Sequence, residues 1–143
     1  MDIIIGSDHA GFDLKERIKV FFAEKNEFSF KDIGTFNHDP IDYPIIAHEV
    51  AKNVSEKKFS RGMLICGSGI GMSIVANKHR NVRAALCHNL YTVKLSRKHN
   101  DANILALGGR VLGVDLALEM VDLFLHTEFE GGRHKRRLDK IED

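Results

Sequence analysis

Short apolar runs alternate with amphipathic stretches along the whole chain, so the hydrophobic period switches repeatedly between that of a strand and that of a helix. Ile3-Ile4-Ile5 is a continuous apolar run that stops at Gly6-Ser7-Asp8, the pattern of a strand buried on both faces. From Phe12 to Asn26, Leu14, Ile18, Phe21 and Phe22 recur at helical spacing while Lys15, Glu16 and Lys19 fall on the water side, which predicts a helix. Phe28 to Ile33 alternates as a second strand. The segment GTFNHDPIDYP is rich in turn formers, and its final residue, Pro44, suits the first turn of a helix running from Ile45 to Val54. Met63 to Cys66 reads as a third strand, Met72 to His79 as a short helix, Val82 to Leu86 as a fourth strand and Tyr91 to Lys98 as another helix. Asn103 to Leu107 is the fifth strand, broken by Gly108-Gly109, and Leu112 to Leu125 is a long amphipathic helix. Gly131-Gly132 then sets off a basic tail that begins at Arg133.

Five such β-α units predict a single-domain α/β fold, a doubly wound sheet of five predominantly parallel strands with helices on both faces and a C-terminal helical tail. The bulk properties agree, because 143 residues at 43% hydrophobic suit one core spanning residues 1–143, with no internal repeat or linker. Lys+Arg 21 against Asp+Glu 20 leaves a net charge of +1, so no global field recruits nucleic acid or a membrane surface, and any anion site is local. The opening MDIIIGSDHAGF holds too short an apolar run for a signal-peptide core or a membrane span, which points to a cytoplasmic protein. Cys66 and Cys87 lie outside any CxxC pattern and are expected as free thiols.

In a parallel sheet ligands collect at the carboxyl ends of the strands, and polar residues crowd there in this sequence. Asp8 and His9 follow the first strand; Cys66, Gly67, Ser68, Gly69 and Gly71 follow the third; His88 follows the fourth and Arg110 the fifth. Capping and turns also favour Asp, Ser and Gly, so it is their concentration that carries the signal. The glycine loop does not fit a dinucleotide fingerprint. Counted from Gly67 the third small residue would fall on Met72, and counted from Gly69 on Ile74. Leu86-Cys87-His88 stands where an acidic ribose ligand belongs, and no lysine follows Gly71 to make a P-loop. Closely spaced glycines before a helix still expose successive N–H groups, which suits a small oxyanion. Cys66, at the entrance to that loop, is placed to serve as a thiolate base or nucleophile, though a small apolar plug at a strand end is an equally good reading of the residue alone. Cys87 has no such loop and reads as a plug. No HxxxH or comparable spacing gathers Asp8, His9 and His99 into a zinc site.

GSDHAGF, DYP, ICGSGIGMSIVANK, SRKHNDANILALGGR and EGGRHKRR occur in this order across essentially the whole chain, and in this the sequence resembles the type B ribose-5-phosphate isomerases. That sugar-phosphate isomerase family also includes allose-6-phosphate and galactose-6-phosphate isomerases. The resemblance implies a Rossmann-like fold, an aldose-ketose isomerisation without metal or other cofactor, and a homodimer, or a tetramer, with each active site shared between subunits. The galactose-6-phosphate enzymes divide their functional residues between two different chains, whereas this chain carries both halves.

By the same resemblance Cys66 matches the base that takes the C2 proton of the sugar; one branch of the family places a glutamate instead at the position of Met72. Ser68 matches a hydroxyl at the C1 and C2 oxygens, with the N–H groups of Gly67, Gly69 and Gly71 beside the enediolate. His99 matches the residue that opens the furanose ring, Asp8, Tyr43 and Asn100 match contacts to the sugar, His9, Arg133 and Arg137 match a phosphate clamp, and Arg110 matches a further binding position. A non-catalytic sugar-phosphate sensor on the same scaffold would keep the arginines and lose the proton-transfer pair, and Cys66 and His99 are both present.

Overall fold

The computed structural model describes residues 1–142; Asp143, the last residue of the one-domain reading, lies outside them. The isoleucine run becomes β1 (Asp2–Ser7), and its side chains alternate between two cores: Ile3 and Ile5 enter one, Ile4 the other. It is followed by α1 (Phe12–Ala23), β2 (Ser29–Asp32), α2 (Tyr43–Ser55), β3 (Arg61–Cys66), α3 (Ile70–Ala76), β4 (Ala84–Leu86), α4 (Leu90–Lys98), β5 (Ile104–Gly108), α5 (Val114–His126) and α6 (Arg133–Leu138). All strand pairs are parallel, in the order β2-β1-β3-β5-β4. Leu14, Ile18 and Phe22 of α1, Val93 of α4 and the apolar stripe of α5 cover one face, while α2 and α3 cover the other through Ile46, Val50, Met72 and Ala76. The two-sided sheet expected from the sequence is therefore present.

Because β1 leads to α1 on one face and β3 leads to α3 on the other, the loops after these neighbouring strands diverge and open a crevice at their carboxyl ends. This is where the fold places a ligand.

Where the element boundaries differ from the periodicity, the reason is local. Asn26 turns the chain at φ 53 and α1 stops at Ala23. The short helix starts at Ile70 because Gly69, at φ 80, delivers the chain into it. Asn81 sits at φ 66 and the Arg83 N–H goes to the Asn103 side chain, so β4 keeps only Ala84 to Leu86. Lys15, expected on the water side of α1, is fully buried. Its ammonium donates to Asp32 Oδ2 at 2.5 Å and lies 5.3 Å from the ring centres of both Phe12 and Phe36. Burial works against the charge on Asp32, but hydrogen bonds from Lys15, Lys19 and the Gly34 N–H hold its carboxyl below the usual range.

His126, in the last turn of α5, meets Glu27 Oε2 at 2.7 Å and the Asp122 carbonyl at 2.9 Å. The Glu27 hydrogen bond first, and the carbonyl second, raise it above its ordinary value. A neutral ring can donate to only one of these acceptors and a protonated ring to both. The added stability is thus complete below the unfolded value near 6.5 and fades as pH rises through the higher folded value. His126→Gln is expected to lower Tm by about 2 °C at pH 5.5 and to leave it unchanged at pH 8.5, a small effect because the pair is exposed. Thermal scans at the two pH values check this.

Candidate active site

The loop after β1 folds on Asp8. This carboxylate is buried, and its Oδ1 accepts the N–H of Ala10 at 2.9 Å and of Gly11 at 3.0 Å, closing the turn into α1. Gly11 is required there, since a Cβ would stand 2.3 Å from the Ile65 carbonyl oxygen. Next to it, the loop after β3 is braced from β5: Gly109 N–H donates to the Cys66 carbonyl at 2.8 Å and Arg110 N–H to the Gly67 carbonyl at 3.0 Å. Those two bonds hang the Arg110 side chain over the glycine loop.

Between the loops lies an open cleft of about 680 Å³ lined by Asp8, Tyr43, Cys66, Gly67, Ser68, Ile70, Gly71, Ile74, Arg110 and Val111. Cys66 is 5% exposed, packs into the α2 and α3 core, and its Sγ accepts the Gly69 N–H at 3.1 Å. The residue is thus both plug and candidate base, with a backbone donor aimed at the sulfur as a thiolate would require. Ser68 Oγ accepts the Ile70 N–H at 3.2 Å, which fixes the hydroxyl oxygen at the start of α3 and leaves its proton free to turn into the cleft. His9 follows the cleft residue Asp8, and its Nδ1 accepts the Ile41 N–H at 3.2 Å. That bond puts the proton of a neutral His9 ring on Nε2. Tyr43 opens α2, and its ring lies against Gly71 so closely that a Cβ there would stand 2.5 Å from the ring carbons. Gly71→Ala is therefore expected to push the ring aside and raise KM about tenfold with the fold retained, which steady-state kinetics and a thermal scan would register.

The remaining predicted site residues lie elsewhere in the same chain. His99 ends α4, which runs back from the carboxyl ends of the strands, and the chain then enters β5 at Ile104. His99 and Asn100 thus lie at the amino ends of the strands, while Cys66 pairs with Gly108 at the opposite end of β5. The five residues of β5 alone separate the two groups by roughly 16 Å. Arg133 and Arg137 are exposed on α6, which returns to the His99 end because α5 also runs back across the sheet. There the His99 ring stacks on His134 at 4.2 Å and 11°, with His99 Nε2 3.7 Å from Glu130 Oε1. Burial, then the neighbouring His99 and Arg133, push His134 below its ordinary value. His99, Glu130 and His134 are the one cluster of metal-ligand side chains among the described residues, their ligand atoms within 4.8 Å of one another. The parallel stacking directs the ring lone pairs side by side rather than at one point, a poor arrangement for a tetrahedral ion. Met72, where a glutamate stands in part of the family that the sequence resembles, is fully buried in the core.

The sequence reading missed Ile70, Ile74 and Val111, which line the cleft yet are 51%, 57% and 56% exposed. Two of them share an i, i+4 face of α3, a stripe that resembles ordinary core until the structure shows nothing packed on it. Among the described residues no helix is long and apolar enough to cross a membrane.

A family model for ribose/galactose isomerases matches residues 3–141. The chain is 44% identical to ribose-5-phosphate isomerase B of Escherichia coli, over 97% of this chain and 93% of that protein. Among solved structures, ribose-5-phosphate isomerase B of Clostridium thermocellum superposes with a TM-score of 0.95 at 50% identity, over 99% of this chain and 95% of that one. The enzyme of Mycoplasma genitalium, with bound ribulose-5-phosphate, gives 0.92 at 41% identity over 98% and 93%.

Proposed function

The chain belongs to the ribose/galactose isomerase family, and on that premise we propose that it interconverts ribose 5-phosphate and ribulose 5-phosphate by ring opening and proton transfer through a cis-enediolate. The observation that carries the chemistry is the Cys66 sulfur at the wall of the cleft, holding the Gly69 N–H in a loop of further N–H donors. As a thiolate, Cys66 removes the C2 proton of the open-chain aldose and returns it at C1, while the proton of the C2 hydroxyl passes to the C1 oxygen by way of Ser68. Electrons from the C–H bond pass into the C1–C2 bond, and negative charge develops on the C1 oxygen, where Ser68 and the backbone of Gly67 to Gly71 stabilise it. A well-aimed donor of this kind lowers the barrier by about 3 kcal/mol. Asp8 accepts hydrogen bonds from sugar hydroxyls, Tyr43 covers the sugar, Arg110 serves the polar rim, and His9, next to Asp8 in the chain, joins the phosphate clamp. The pentose reading is favoured over the hexose phosphates by the ribulose-5-phosphate held in the Mycoplasma genitalium relative.

Ring opening needs a group that protonates the ring oxygen while the C1 hydroxyl loses its proton, and an imidazole, with one donor and one acceptor nitrogen, can do both. His99 has that chemistry, yet it cannot reach the cleft of its own chain from the far end of the sheet. A second copy of the chain supplies it. In a homodimer, or a tetramer of such dimers, His99 and Asn100 of one subunit close the cleft of the other, and Arg133 and Arg137, four residues apart on α6, grip the phosphate from one face. The exposed Ile70, Ile74 and Val111 at the cleft mouth are the apolar surface that such an interface covers. The substrate is a small metabolite, and the two unpaired thiols fit the reducing cytoplasm.

The test is ketose formation from ribose 5-phosphate, with allose 6-phosphate and galactose 6-phosphate in parallel, all in the presence of EDTA. Fast EDTA-resistant turnover of the pentose supports the reading. Preference for a six-carbon sugar keeps the mechanism and changes the substrate; loss of activity in EDTA overturns the metal-free chemistry.

A further inference from the structure

Lys15 is fully buried on α1 and has no place in the chemistry above. Its charge is balanced inside one network: Lys15 donates to Asp32 Oδ2 at 2.5 Å and to Glu16 Oε1 at 3.3 Å, and Lys19 donates to the same two carboxylates at 2.7 and 3.0 Å. An ion pair this deep is costly to desolvate and a poor source of net stability. The other end of Asp32 shows a different use for it.

Asp32 Oδ1 accepts the Gly34 N–H at 2.9 Å, where the chain leaves β2. Gly34, at φ 105, gives its carbonyl to the Ser7 N–H at 2.7 Å, and the Thr35 N–H donates to the Ser7 carbonyl at 2.8 Å. Ser7 is the residue before Asp8 and His9. The same segment continues to Ile41, whose N–H is the partner of His9 Nδ1, and ends at Tyr43 against Gly71. One carboxylate, held by a buried ammonium, thus anchors the start of a segment whose far end orients two side chains of the site.

We propose that Lys15 is a positioning residue: through Asp32 it holds residues 33–42 so that His9 and Tyr43 are presented to the substrate. The proposal rests on the reading that His9 and Tyr43 meet a sugar phosphate. Lys19 is exposed enough to hold Asp32 by itself when Lys15 is gone, but from outside the core, so the carboxylate turns away from Gly34. The loop loosens and the global fold remains.

Lys15→Met fills the same space without the charge. In the full chain it is expected to raise the KM for ribose 5-phosphate about tenfold with kcat within about threefold of wild type. The ¹⁵N resonance of His9 Nδ1, an acceptor in wild type, is expected to move toward the average of the two tautomers. Asp32→Asn, which keeps the side-chain volume but loses the charge by which Lys15 holds it against Gly34, guards against a Lys15→Met that does not fold, and should shift both readouts in the same direction. A core truncation such as Phe124→Leu, on the α5 stripe, should lower Tm and move neither. Wild-type KM and a wild-type His9 signal in a folded Lys15 or Asp32 variant overturn the proposal. Should the wild-type chain turn over no sugar phosphate, the isomerase reading fails, and the His9 resonance alone then decides the role of Lys15.

Discussion

Cys66→Ala is expected to lower kcat for ribose 5-phosphate by about 10³-fold or more, with the protein folded and still able to bind substrate. On the proposed mechanism Cys66 is the side chain of the cleft that takes the C2 proton. Asp8 is engaged through Oδ1 with two backbone N–H groups, Tyr43 is a phenol at the rim, and Met72 is a buried thioether. The structural cost is small, because the substitution removes one sulfur atom from a site already lined by Gly69 and the α2 and α3 core, about 1 kcal/mol and a few degrees of Tm. Rapid alkylation of the wild-type thiol, slowed by ribose 5-phosphate, should accompany the loss of activity in the mutant. If Cys66→Ala retains more than about a tenth of wild-type kcat, the thiolate mechanism is wrong and the base must be sought among oxygen acids.

The second large effect concerns the two ends of the sheet. Cys66→Ala and His99→Asn should each be nearly inactive for ring-closed ribose 5-phosphate, while a mixture unfolded and refolded together should recover activity. If each site takes Cys66 from one subunit and His99 from its partner, a mixed dimer holds one doubly damaged site and one intact site. Random pairing makes half the dimers mixed, so about a quarter of wild-type activity returns. A site built within one chain would return none. The opposite placement of the two residues along β5 is what makes the quarter the expected result. A mixture that stays inactive while co-purification of differently tagged copies shows mixed dimers would overturn the shared site.

The fold was legible because its signals are local. The Ile3 to Ile5 run, the apolar Met63 to Cys66 and the glycine breaks each declare a strand and its end without reference to the rest of the chain. The boundaries that shifted did so for reasons a period does not contain. Asn81 at positive φ and the Asn103 side chain capturing the Arg83 N–H shortened β4, and a positive φ at Asn26 ended α1. Lys15 was placed in water because helical spacing treats a lysine as solvent-facing, whereas β2 brought Asp32 to meet it.

By itself the sequence determined a doubly wound α/β domain, a glycine loop unsuited to dinucleotides, and a thiol at a strand end, since each depends on residue types at short spacing. The tertiary structure decided which of the candidate residues share a site. It gathered Asp8, Tyr43, Cys66, Ser68 and Arg110 into one cleft and set His99, Asn100, Arg133 and Arg137 beyond reach at the other end of the sheet. The physical reason is the direction of the chain: a parallel sheet forces every connecting helix to run back, so residues at the end of a helix and at the end of a strand lie on opposite edges, however close they stand in sequence.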